Sequence, residues 1–132
     1  TRVAIDSDGW FATGDLGRFD GQQRLTLVGR SKDLIIVGGF NVYPAVVEKV
    51  VSACPGVREA AVFALDDLKR GQRVAVAAVK DQEGSVTERQ IQSFCKRHLI
   101  SYQCPAVVTF VDQLPRNTMG KILRRVLQQQ FE

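Results

Sequence analysis

Two rhythms of apolar and polar positions divide the chain near residue 30. Before it, short alternating stretches are broken by turns. Arg2 to Ile5 predicts a brief strand, and Leu25 and Leu27, spaced by polar neighbours over Gln23 to Val28, predict a half-buried one. Between them lie the turn signals Ser7-Asp8-Gly9, Gly17 and Asp20-Gly21, and the aromatic pair Trp10-Phe11. A strand-and-turn segment without a helix buries little by itself. Residues 1–30 are therefore expected to complete the sheet of a larger domain lying outside this chain.

Beyond residue 30 the apolar blocks lengthen. Leu34 to Val37 is a mostly β-branched run that meets Gly38-Gly39, the signal of a tight hairpin turn. Pro44 presets a first helical turn, and Val46, Val47, Val50, Val51 and Cys54 recur at helical spacing until Pro55-Gly56. Val57 to Leu65 and Val74 to Val79 predict neighbouring strands. Ser85-Val86-Thr87-Glu88 has the form of a capping box, opening a helix with Ile91, Phe94, Cys95, His98 and Leu99 on one side. Val107 to Val111 predicts a third strand and Gln113 to Met119 a polar loop. Ile122, Leu123, Val126, Leu127 and Phe131 form the apolar stripe of a last helix. The expected fold is α+β: over residues 31–132, a small domain with a β-hairpin and a sheet of about three strands packed by about three helices.

Composition narrows the class without naming a function. With 132 residues, 45% apolar and 24% charged, the chain suits one domain with an incomplete appendage. No apolar run is long enough to span a bilayer and no leader opens the chain, so a cytoplasmic protein without a transmembrane segment is expected. The start at Thr1, without methionine, is what a fragment would show. Cys54, Cys95 and Cys104 are odd in number and lack CxxC spacing, which points to buried free thiols rather than disulfides or a metal site. The net charge of +4 is mild.

Candidate chemistry gathers at the hairpin and near the carboxyl end. Arg30, Lys32 and Asp33 precede the hairpin, whose glycine tip lets a backbone approach something closely. Taken alone, this is an ordinary tight turn with Arg30 in a surface pair with Asp33, and Lys121 is a solvated lysine opening a basic helix with Arg124 and Arg125. That basic cluster has no interleaved aromatics, and acidic residues are spread through the chain, so nucleic acid is not an expected partner.

The motifs TGD at 13–15, GRSKDLIIVGGFNVYP at 29–44, YQCP at 102–105 and FVDQLPRNTMGKILRR at 110–125 share order and spacing with one family. In them the chain resembles the carboxyl-terminal part of AMP-forming acyl-CoA synthetases, of the adenylate-forming superfamily. The GGFNVYP and LPRNTMGK versions look most like the malonyl-CoA synthetase and medium-chain ligase branches. The resemblance covers essentially the whole chain. It implies a carboxylate activated by ATP to an acyl adenylate and then passed to the thiol of coenzyme A.

By that resemblance, Asp15 would grip the ribose hydroxyls and Arg30 would sit near ribose and phosphates. Lys121 would be the adenylation lysine, and Lys32 the hinge on which residues 31–132 swing between half-reactions. Gly38, Gly39 and Phe40 would line the tunnel for pantetheine. ATP or AMP and coenzyme A are the implied substrates, with Mg2+ accompanying ATP on ligands outside this chain. Two positions depart from the pattern: Gln103 replaces a lysine common in the YKxP segment, and Asn41 an arginine found in other branches. The phosphate loop and acyl pocket are absent. The missing amino-terminal adenylation domain is thus the implied partner, and the chain alone is expected to be inactive. The alternative is a stand-alone module that binds CoA or an acyl carrier protein without catalysis.

Overall fold

The computed structural model describes residues 5–132. The predicted Arg2 to Ile5 strand lies largely outside them; at its end, Ile5 forms an isolated bridge with Phe11. Strands β1 (Asp15–Phe19) and β2 (Leu25–Arg30) pair antiparallel as a separate two-stranded sheet. The expectation that Leu25 and Leu27 would be half-buried is corrected: both are exposed, as are Trp10, Phe11 and Phe19. A two-stranded ribbon has no second layer of its own to cover an apolar face.

The main sheet has five strands, with the hairpin inside it rather than beside it. Strands β3 (Ile35–Val37) and β4 (Phe40–Val42) make the hairpin, and β3 joins β6 (Gly71–Lys80) through Val37 and Gly71. Strand β5 (Val57–Asp67) runs antiparallel along one edge of β6, and β7 (Val107–Phe110) runs parallel along the other. The hairpin needs Gly38-Gly39 because its two-residue loop has φ of +56° and +87°, the left-handed backbone that primed turns require.

Strands β5 and β6 are apolar at nearly every position because both faces are covered. Val62, Val74, Val76 and Ala78 pack under helices α1 (Pro44–Ser52) and α2 (Glu88–His98), with Val47, Val51, Ile91 and Cys95. Ala61, Phe63, Leu65, Ala75 and Ala77 face the other way, onto Leu114 of the loop after β7 and onto Leu127 of helix α3 (Arg124–Phe131). The period of two thus divides each strand between two cores, in three layers. Burying Ile91 completely contributes about 2–3 kcal/mol by transfer alone.

Two helix starts differ from the sequence reading. The capping box lies two residues later: Thr87 Oγ1 accepts from the Gln90 amide while Gln90 Oε1 accepts from the Thr87 amide. Ser85 and Glu88 have the right spacing, but Val86 is buried and the chain turns helical only after Thr87. The last helix starts at Arg124, because Ile122 is held in an isolated bridge with Arg116.

Candidate functional site

A cleft of about 720 Å³ is lined by Lys32, Asp33, Leu34, Lys121, Arg124 and Gln72, among others. It brings together the predicted hinge and the predicted adenylation lysine, which are far apart in sequence. Lys121 is exposed and precedes helix α3, so the basic-helix reading of it is corrected. Its loop is built by Asn117, whose Oδ1 accepts the amides of Met119 and Lys121 at 3.0 and 2.9 Å. The Asn117 amide in turn donates to the Lys121 carbonyl. Arg116 braces the outside, donating to the Gly120 carbonyl at 2.8 Å and to Glu59 at 2.9 Å. An asparagine side chain that mimics a turn of backbone is a local device readable as sequence, but Gln113 to Met119 read only as a polar loop.

The predicted hinge lies in a 3-10 turn, Ser31–Asp33. Arg30 does not pair with Asp33. Its Nε lies 3.1 Å from Asp15 Oδ1, both side chains partly exposed, although the N–H is not aimed at that oxygen. Asp15 is also placed by Thr13, whose Oγ1 accepts the Asp15 amide. The two predicted nucleotide residues are therefore adjacent, and their charges face each other.

Asp33 turns instead to Arg124, at 3.7 Å. Arg124 is a residue the sequence did not single out for this work. It donates to Glu48 Oε1 at 2.6 Å and to the Val62 carbonyl at 3.0 Å, and Glu48 Oε1 also accepts the Val62 amide. One guanidinium thus joins helices α1 and α3, strand β5 and the 3-10 turn Ser31–Asp33.

Gly38, Gly39 and Phe40 do not line the cleft. The hairpin tip is held by the β5–β6 turn, with Gly38 donating its amide to the Arg70 carbonyl. The structure thus carries two separate chemical surfaces: a cationic cleft around Lys121, and a bare glycine tip beside Phe40.

No other described cluster offers catalytic chemistry. A hollow of about 390 Å³ bordered by Cys54, Asp81, Gln90 and Arg97 contains no predicted site residue. Burial pushes the Cys54 and Cys104 thiols up and raises Cys95 to about 11, so none is an activated nucleophile. Among the described residues, no group of three or more His, Cys, Asp or Glu is arranged to hold a metal ion. Among the described residues, no helix is long and apolar enough to cross a membrane.

Comparison with known proteins gives a consistent picture. Residues 46–121 match the profile of the family described as AMP-binding enzyme C-terminal domain. The chain is 47% identical over 131 residues to the long-chain-fatty-acid–CoA ligase FadD13 of Mycobacterium tuberculosis, covering 99% of this chain and 26% of that protein. Against the crystal structure of ATP-bound MatB from Rhodopseudomonas palustris the TM-score is 0.90 at 40% identity, covering 98% of this chain and 26% of the other. With apo MatB, at the same identity and coverage, it is 0.79. The chain spans about a quarter of the length of the curated relatives it matches.

Proposed function

This chain belongs to the AMP-binding enzyme C-terminal domain family, and from that premise we propose that it is the mobile carboxyl-terminal part of an ATP-dependent, AMP-forming acid–CoA ligase. Residues 31–132 are the moving domain, and residues 1–30 are the edge of the amino-terminal adenylation domain. The separate β1–β2 sheet with its exposed apolar side chains supports that division.

The observation that carries the reading is the separation of Lys121 from the Gly38-Gly39 tip: Lys121 lines the cleft and the tip does not, although both belong to residues 31–132. A carboxylate oxygen that attacks the α-phosphate of ATP, with pyrophosphate leaving, crowds negative charge, which a lysine at that point stabilises. The adenylate then meets the CoA thiol, whose sulfur forms the thioester as AMP leaves. That second step needs an approach for the pantetheine arm, which a bare glycine tip leaves open. Two surfaces serving one centre require the domain to turn, and Lys32 is the proposed pivot. The better match to ATP-bound than to apo MatB supports assigning the arrangement described above to the ATP-using step.

Asp15 holds the ribose hydroxyls in this account, with Arg30 setting its carboxylate. Mg2+ arrives with ATP on ligands of the amino-terminal domain. FadD13 is by name a long-chain-fatty-acid–CoA ligase at 47% identity and MatB is a solved neighbour at 40%, so the acid that is activated is read from the carboxylate panel below. The test is to measure the half-reactions separately in the full-length protein. ATP–pyrophosphate exchange with a panel of carboxylates and thioester formation from a supplied acyl adenylate are both expected. Absence of both would refute the reading.

A further inference from the structure

Phe40, directly after the glycine tip, lies stacked on Tyr102 with ring centroids 4.7 Å apart and planes inclined by 12°. The contact joins β4 to the 3-10 turn Ser101–Gln103, from a distant part of the chain. Both sides of this bridge are themselves fixed. The Ile36 amide donates to Gln72 Oε1 at 2.8 Å and the Gly38 amide to the Arg70 carbonyl at 2.9 Å. Opposite, Tyr102 packs against the core under α1 and α2, and Gln103 Oε1 accepts the Ile100 amide at 3.3 Å. Gln103 therefore closes the turn that presents Tyr102.

Phe40 remains 57% exposed despite the stack. A ring left so open contributes little core burial, so what Tyr102 supplies is orientation. Two glycines in succession carry no side chain to restrict their backbone. An offset-stacked pair next to them does restrict it. We propose that Tyr102 is a positioning residue for the thiol half-reaction, holding Phe40 and through it the tip along which the pantetheine arm enters. The inference rests on the ligase reading given above.

The experiment uses the full-length enzyme and compares Tyr102→Ala with Tyr102→Phe, taking Gly39→Asn as reference, since asparagine tolerates φ above zero while adding bulk. Thioester formation from supplied acyl adenylate is followed against CoA concentration, beside pyrophosphate exchange and the melting temperature. Tyr102→Ala is expected to raise the KM for CoA by about five- to tenfold, the size of one aromatic pair, while exchange persists. Tyr102→Phe should restore the KM. An unchanged KM in Tyr102→Ala beside a raised one in Gly39→Asn overturns the inference. So does a parallel fall of both half-reactions with the melting temperature. If the wild-type enzyme forms no thioester from any supplied adenylate, the ligase reading itself fails, and the inference with it.

Discussion

Ser31 donates both its amide and its hydroxyl to the carbonyl oxygen of Gly14, at 2.8 and 3.1 Å. Two positions on, Asp33 faces Arg124 at 3.7 Å. The turn between the two sheets is tied on one side to the TGD loop and on the other to the body of the larger domain. The Lys32 side chain between these ties makes no hydrogen bond or ion pair among the described residues. No side-chain contact therefore resists a change of backbone at Lys32, where the proposed pivot lies.

Lys32→Pro should lock that residue. Proline fixes φ near −65°, inside the range of the 3-10 turn in which Lys32 sits, so the arrangement described above is retained. In the full-length enzyme, pyrophosphate exchange should persist while thioester formation falls by about tenfold or more. Equal loss of both would move the pivot elsewhere.

Arg124→Ala should be the most destabilising change near the cleft. It strands Glu48, about one-fifth exposed, and removes the bond to the Val62 carbonyl. Breaking one partner of a largely buried pair costs about 3 kcal/mol. Chemical denaturation should show this loss, with Glu48→Gln losing less because the amide still accepts. A midpoint within experimental scatter of wild type would show that the network holds nothing together.

Much of this was legible in local pattern. Gly38-Gly39, Pro44, Pro55-Gly56 and the apolar runs of β5 and β6 each act over a few residues, and each element appears where those signals fall. The membership of Val37 in the same sheet as Gly71, and the parallel docking of β7 on β6, were not legible, because strand partners are chosen by packing across the fold. Arg124 read as part of a basic patch, since nothing near it in sequence announces Glu48. The cap moved from Ser85 to Thr87 because two overlapping signatures compete there, and burial of Val86 decides between them. For the site, the family motifs implied the residues, and the fold adds that Lys32 and Lys121 line one cleft while the glycine tip does not.

The buried thiols give a pH signature. Burial, aided by Cys104 and Cys54, raises Cys95 from 9.0 to about 11. Below pH 9 both the folded and the unfolded thiol are protonated, and the group adds no pH dependence. As pH rises from about 9 to 11 the unfolded thiol ionises while the folded one keeps its proton, so stability is lost, by up to about 3 kcal/mol. The difference in melting temperature between wild type and Cys95→Ala should change over that window. A difference constant from pH 8 to about 11 would contradict the assignment.

The division of labour between the two surfaces is tested most directly by Lys121→Ala in the full-length enzyme, with the two half-reactions assayed apart. Pyrophosphate exchange should fall by on the order of a hundredfold or more, as losing a preorganised transition-state contact does. Thioester formation from supplied acyl adenylate and CoA should survive near the wild-type rate. Equal losses in both half-reactions, or undiminished exchange, would contradict the account.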